Sequence, residues 1–208
     1  MKATDALFKI NEIFASIQGE GLLIGRPMNF VRFCRCNLSC RWCDTNYAKG
    51  EIISTPQIIR RLDRKVRWVS LTGGEPMLEE NLPALISALK AKRFKVLLET
   101  NGTLFERQIF NSCDFVSMDV KGPSSGNPGY DERALAYCLR NPKKSQIKVV
   151  IKGKEDLEYL GKIYEGNYPN WVIQPEYKSI PDMDFHYMMK KFPNARIIAQ
   201  MHKYMNVR

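Results

Sequence analysis

No stretch of this sequence approaches the roughly 20 consecutive apolar residues that a bilayer-crossing helix needs, and Met1-Lys-Ala-Thr-Asp5 lacks the pattern of a signal peptide. The expected location is the cytoplasm, with no membrane partner. Histidine is scarce: the two residues, His186 and His202, stand well apart. No arginine-rich arm or helix-turn-helix pattern stands out, although 32 Lys and Arg against 22 Asp and Glu give a net charge of +10. The basic residues fall in short clusters such as Arg60-Arg61, Lys143-Lys144 and Lys190-Lys191. That distribution reads as a solvated surface, suited at most to attracting an anionic small substrate, and not as a direct nucleic-acid interface. No linker or composition break divides the 208 residues, so one domain spanning 1–208 is expected.

What the chain does have is alternation. Strand-like runs at 8–17, 30–33, 66–71, 95–99, 115–118, 146–151, 171–174 and 196–199 are separated by helix-like runs at 55–63, 131–139, 155–164 and 182–191. Leu82, Leu85, Ile86 and Leu89 add a further helix by their i, i+3, i+4, i+7 spacing. Such repeats predict an α/β fold of parallel strands with right-handed crossovers. A closed eight-unit barrel takes about 250 residues, so an incomplete, open (β/α) barrel of about six units is expected. Ligands in such folds gather at the carboxyl ends of strands. The unusual residues here follow Phe33, Leu71, Glu99, Met118 and Ile173, and those five places should converge.

Cysteine is present at six positions, and four of them, Cys34, Cys36, Cys40 and Cys43, fall within ten residues. In a cytosolic chain that clustering points to metal or redox chemistry. Cys36, Cys40 and Cys43 have the spacing C-x3-C-x2-C, in which three thiolates hold three irons of a [4Fe–4S] cubane and leave the fourth iron open. An open iron can chelate the amino and carboxylate groups of S-adenosylmethionine (SAM) and pass an electron to its sulfonium. A zinc site would want four ligands; Cys34-Arg35-Cys36 is a poor chelate and no second C-x2-C pair follows. Cys34, Cys113 and Cys138 read as small buried hydrophobes.

The loop resembles the signature of the radical SAM superfamily, with Trp42 as the aromatic residue before the last cysteine. Thr72-Gly73-Gly74-Glu75-Pro76 resembles that superfamily's Gly-Gly-Glu element, which in the resemblance holds the SAM amino group by its backbone and by the Glu75 carboxylate. Further segments resemble the 7-carboxy-7-deazaguanine synthases: Gln18-Gly19-Glu20-Gly21, Cys43-Asp44-Thr45, the run from Glu99 to Thr103, Gln174-Pro175, and Gln200-Met201-His202-Lys203.

The resemblance implies ring contraction of 6-carboxy-5,6,7,8-tetrahydropterin, with loss of ammonia and regeneration of SAM. The product feeds the tRNA nucleosides queuosine or archaeosine. By the same resemblance Ile17, Gln18, Gly19, Glu20, Arg32, Thr72 and His202 meet the pterin, together with the terminal carboxylate of Arg208. Trp42, Cys43, Asp44, Gly74, Glu75, Asp119, Val120, Lys121, Gln174, Pro175, Glu176 and Tyr177 are assigned to SAM, and Thr45 to Mg²⁺. Asp119-Val120-Lys121 departs from the Ser-Pro-Lys often found there. A homodimer and a one-electron reductant of the flavodoxin or ferredoxin class are the implied partners. No residue is expected to act catalytically beyond the cluster and SAM. These roles suit the side chains: a guanidinium matches a carboxylate oxygen for oxygen, Glu20 accepts from pterin N–H groups, and Mg²⁺ favours hard oxygen donors such as the Thr45 hydroxyl.

Two other readings compete. A radical SAM activase that installs a glycyl radical shares the cysteine loop and the glycine turn but not the 18–21 and 202–203 segments. A zinc-stabilised RNA-binding module would account for the charge without any iron.

Overall fold

The computed structural model describes residues 6–43 and 50–207; Asp44, Thr45 and Arg208 lie outside the described residues. Strand β1 (Leu7–Ile17) turns back through 18–26 into β2 (Pro27–Phe33), and the two pair antiparallel. Strand β3 (Glu51–Ser54) pairs antiparallel with β1 on its other side. From β2 onward every neighbour is parallel: β4 (Trp68–Gly73), β5 (Lys95–Thr100), β6 (Phe115–Val120), β7 (Ser145–Ile151), β8 (Trp171–Pro175) and the two-residue β9 (Arg196–Ile197). The sheet order is β3-β1-β2-β4-β5-β6-β7-β8-β9, so β3 and β9 are edges and the barrel stays open. Six full-length parallel strands run from β2 to β8, in keeping with the expected architecture.

The crossovers carry α1 (Thr55–Arg61), α2 (Leu82–Ala91), α3 (Arg107–Ser112), α4 (Glu132–Arg140), α5 (Lys154–Ile163) and α6 (Phe185–Lys191), and α7 (Met201–Met205) follows β9. The sequence reading lacks β3, α3 and α7, which have four, six and five residues and are too short to establish a period. It also caps α1 one residue late. Ser54, not Thr55, is the N-cap, and Gln57 Oε1 accepts from its backbone N–H at 2.7 Å and its hydroxyl at 2.9 Å.

Because strand side chains alternate between faces, each parallel strand serves two environments. On the helix side Val69, Leu71, Val96, Leu98, Val116, Met118, Ile147, Val149, Trp171 and Ile173 pack with Leu82, Leu85, Ile86 and Leu89 of α2 into one core. Each such side chain contributes roughly 1.5–3 kcal/mol by leaving water. The inner face holds a much smaller apolar plug, Met28, Phe30 and Leu97, with Phe14, Leu23, Trp68 and Phe115 packed around it. Phe14 and Phe30 stack with ring centroids 5.1 Å apart. Beyond that plug, toward the carboxyl ends of the strands, the inner face turns polar.

Candidate active site

The polar end of the inner face opens into a cavity of about 790 Å³ lined by Cys36, Cys40 and Cys43 on one side and Ile17, Gln18, Gly19 and Glu20 on the other. Arg32, Thr72, Glu99, Asp119, Lys148 and Gln174, each from a different strand, reach the same space. The strand ends singled out in the sequence therefore do converge.

The cysteine loop is held from two sides. The Gly74 N–H donates to the Phe33 carbonyl at 2.9 Å and the Glu75 N–H to the Arg35 carbonyl at 2.6 Å. Gly73 has φ +100°, and a β-carbon on Gly74 would collide with the Arg35 carbonyl. The Gly-Gly pair is thus required by the contact between this turn and the start of the loop. On the other side Asn101 Nδ2 donates to Asn37 Oδ1 at 2.9 Å, the Arg41 N–H to the Ser125 carbonyl at 2.9 Å, and the Trp42 indole N–H to Ser124 Oγ at 3.4 Å. The Lys121 ammonium sits 4.8 Å from the Trp42 ring centre.

Cys34 is separate from the other three: it is buried, its thiol is pushed up by that burial, and it packs where a side chain on Gly50 would stand. Among the described residues no three His, Cys, Asp or Glu side chains close on a single point fit for one metal ion. Thiolates that each take a different iron of a cubane have no need to do so.

Glu75 departs from the role expected of its side chain. It is fully buried and does not line the cavity. One carboxylate oxygen accepts from the Met77 N–H at 3.0 Å and Thr100 Oγ1 at 2.8 Å, the other from the Asn101 N–H at 2.6 Å. Burial raises its carboxyl to about 7 despite those donors. The carboxylate bolts the ends of β4 and β5 together; only the backbone of the turn faces the cavity.

The remaining cofactor residues divide by strand parity. Asp119 and Lys121 line the cavity, whereas Val120 points to the helix-side core. Gln174 and Glu176 line it, while Pro175 is buried away from it and Tyr177 sits outside, its ring 5.1 Å from that of Tyr204. Consecutive residues on a strand cannot share one face, so the side chains of Val120 and Pro175 are not available to a ligand in the cavity. Asp119 Oδ1 and Gln174 Oε1 are buried and have no hydrogen-bond partner among the described residues. Two orphan acceptors in one cavity wall suit a ligand that brings N–H or O–H donors, as SAM does, and the residues present fit it.

The other half of the cavity is organised by residues to which the motif reading assigned no role. Glu99 accepts from Gln18 Nε2 at 2.6 Å and from Thr72 Oγ1 at 2.8 Å, fixing both. The Leu22 N–H donates to Gln146 Oε1 at 2.6 Å, and Gln200 Nε2 donates to Glu20 Oε1 at 2.8 Å. Lys148 Nζ pairs with Glu20 Oε2, and with Asp119 Oδ2 at 3.3 Å. Burial by itself would raise the Glu20 carboxyl, but Lys148 and Gln200 hold it down at about 2. Burial works to lower Lys148, and Asp119, Glu20 and Glu99 outweigh it and raise the ammonium above the ordinary lysine value. The sequence does carry a signal for Lys148: a lone charge among the apolar residues of 147–151 must have a buried partner. Arg32 Nε donates to Glu12 Oε1 at 2.8 Å, and its guanidinium lies 5.8 Å from the Phe14 ring centre.

His202 lies on α7 directly against Gly19, where a β-carbon would overlap the imidazole. The Met201 N–H donates to the Gly19 carbonyl at 2.9 Å, and Val207 also reaches the cavity wall.

Cysteine loop, glycine turn and open barrel together define a class, and a profile of the radical SAM superfamily matches residues 30–153. A [4Fe–4S] cluster and SAM are the cofactors of that class. Within it, the chain is 36% identical over 201 residues to the 7-carboxy-7-deazaguanine synthase of Thermoplasma acidophilum, covering 93% of this chain and 95% of that one. It is 37% identical over 223 residues to the enzyme of the same name from Archaeoglobus fulgidus, with 95% and 97% covered. The crystal structure of QueE from Escherichia coli shares the fold, with a TM-score of 0.73 at 24% identity over 94% of this chain and 95% of that one. The chain belongs to the 7-carboxy-7-deazaguanine synthase family of radical SAM enzymes. The activase and zinc-module readings give way to that membership. Among the described residues no helix is long and apolar enough to cross a membrane.

Proposed function

We propose that this enzyme converts 6-carboxy-5,6,7,8-tetrahydropterin to 7-carboxy-7-deazaguanine and ammonia, using Mg²⁺, in the cytoplasm, for queuosine or archaeosine synthesis. The observation that carries the reading is the convergence of Gln18, Gly19, Glu20, Arg32, Thr72 and His202 on the cavity that also holds the three cluster cysteines. When bound, the cluster and SAM supply a 5′-deoxyadenosyl radical able to abstract hydrogen from the pterin.

The chain's own residues bind and orient. Cys36, Cys40 and Cys43 ligate the cluster. The Gly74 backbone, Asp119, Lys121, Gln174 and Glu176 would hold SAM, with Trp42 and the backbone at Val120, Pro175 and Tyr177 beside them, and the family resemblance adds Asp44. Arg32 offers its guanidinium fork to the substrate carboxylate. Glu20, kept ionised, accepts from the pterin N–H groups, and Gln18, Thr72 and His202 meet other edges. The plug of Phe14 and Phe30 closes the floor against water. Thr45 would supply a hydroxyl ligand to Mg²⁺. In domain terms, the 1–208 unit is a radical SAM core in which the loop after β1 grips the substrate and the segment through Arg208 caps it. The partners are a flavodoxin- or ferredoxin-class reductant and a second copy of the chain.

The deciding experiment is anaerobic incubation of reconstituted protein with SAM, dithionite, Mg²⁺ and the carboxypterin, with mass analysis of the products. Appearance of 7-carboxy-7-deazaguanine supports the reading, and SAM cleavage without it refutes the substrate. In the same assay Thr45→Ala should keep SAM binding and shift the Mg²⁺ dependence to higher concentration; superimposable Mg²⁺ curves would remove Thr45 from the metal shell.

A further inference from the structure

We infer that Lys148 is a positioning residue for substrate recognition: its ammonium, fixed on β7, holds the Glu20 carboxylate charged and turned into the cavity as a pure acceptor. The inference rests on the reading that Glu20 meets N–H donors of the heterocycle. Lys148 is itself almost wholly buried, with 8% of its side chain exposed, so its charge exists only for what it faces. It faces Glu20 Oε2, with Asp119 Oδ2 at 3.3 Å and Glu99 adding to the field.

The contacts to Glu20 and to Asp119 are not equivalent. Asp119 has a second cation, Lys121 Nζ at 2.8 Å from the same oxygen, and keeps it if Lys148 is neutralised. The Glu20 carboxylate oxygens take the Lys148 ammonium and the neutral Gln200 amide, with His202 adding to the field. Without Lys148, Glu20 keeps the Gln200 amide and the field of His202 but loses its ion-pair partner while still buried, and protonation or reorientation would follow. A protonated Glu20 presents an O–H donor where the heterocycle presents donors of its own.

Strand β7 also grips the same loop one position earlier on that face. Gln146 Oε1 takes the Leu22 N–H, and a β-carbon on Gly21 would overlap the Gln146 amide. Gln146 and Lys148 therefore hold the loop's backbone and its charge respectively, which leaves the Lys148 effect on orientation specific to the Glu20 side chain.

The test is a double-mutant cycle on cluster-loaded protein with SAM and no reductant, reading the carboxypterin dissociation constant by equilibrium dialysis. Melting temperature and SAM dissociation constant are read in parallel. Lys148→Met should weaken pterin binding at least about tenfold and SAM binding less than about threefold. In a Glu20→Gln background the same change should cost less than about threefold, since the group it positions is gone. Lys148→Arg, which keeps the charge, should restore most of the pterin affinity. Equal losses from Lys148→Met in both backgrounds, or equal weakening of SAM and pterin, would overturn the positioning role and leave Glu20 recognition standing. If Glu20→Gln alone does not change pterin binding, the substrate reading of Glu20 fails, and the inference with it. Should Lys148→Met not fold, Lys148→Gln, which keeps a polar tip without the charge, carries the same comparison with the same expected values.

Discussion

Leu71, Leu98, Met118 and Val149 face the helices from β4, β5, β6 and β7, and their immediate neighbours Thr72, Glu99, Asp119 and Lys148 face the cavity. One residue of register separates a dry core from a polar site. The helix-side residues need only be apolar and of suitable volume, and each contributes by the area it removes from water. The cavity-side residues sit where charge is costly and are retained in cross-linked sets: Gln18 and Thr72 on Glu99, Glu20 and Asp119 on Lys148. Stability and chemistry are therefore carried by opposite faces of the same strands, and substitutions should separate the two.

The sharpest separation comes from the cluster loop. Cys36→Ala, Cys40→Ala or Cys43→Ala should abolish SAM cleavage and lower bound iron from about four per chain, while Cys34→Ala keeps both. Iron analysis and a SAM-cleavage assay check this, and an essential Cys34 would mean that the ligand register is misplaced. The converse case is Leu85→Ala on α2, fully buried on the helix side. It should cost about 2–5 kcal/mol in denaturant unfolding and leave the substrate KM of the folded fraction unaltered.

Gly19→Ala tests the cavity rim, because the new methyl must displace His202. Substrate KM should rise about tenfold or more, with SAM affinity unchanged. An unaltered KM would detach α7 from the substrate.

Last and smallest are the pH effects of two inner carboxyls shifted in opposite directions. Glu20, held at about 2 against an ordinary 4.5, adds stability above pH 4.5 that is lost as pH falls toward 2. Glu75, raised to about 7, favours the fold most below pH 4.5, and that contribution declines as pH rises through 7. Melting curves should show the wild type's advantage over Glu20→Gln shrinking toward acid and its advantage over Glu75→Gln shrinking from pH 4.5 to 7. Parallel curves in either pair would contradict the assigned environment.

Much of this was legible in the sequence, because the features concerned are local. The C-x3-C-x2-C spacing, the Gly-Gly pair before Glu75 and the strand–helix rhythm each sit within a few consecutive residues. What escaped depends on facing. Asp119-Val120-Lys121 reads as one motif, but the pleat splits it between two environments. Glu75 carries the motif's charge, yet the donors that turn it inward come from Thr100 and Asn101, 25 and 26 positions away. Lys148 is only a lysine in an apolar strand until the loop after β1 is laid across it. Short elements such as α7 are fixed by tertiary contact to Gly19 rather than by their own periodicity.

The loop that carries Glu20 is also a matter of timing. Its partners Gln146, Lys148 and Gln200 lie 124, 128 and 180 positions later in the chain. At the ribosome's pace of about 5–20 residues per second, Glu20 waits on the order of ten seconds or more before Gln200 exists. During that interval the cysteine loop is already made, whereas the wall that encloses a substrate is not. Contacts of such long separation are also slow to form on refolding. The order of synthesis thus makes the rim of the reaction chamber the last part of this wall that the chain can complete.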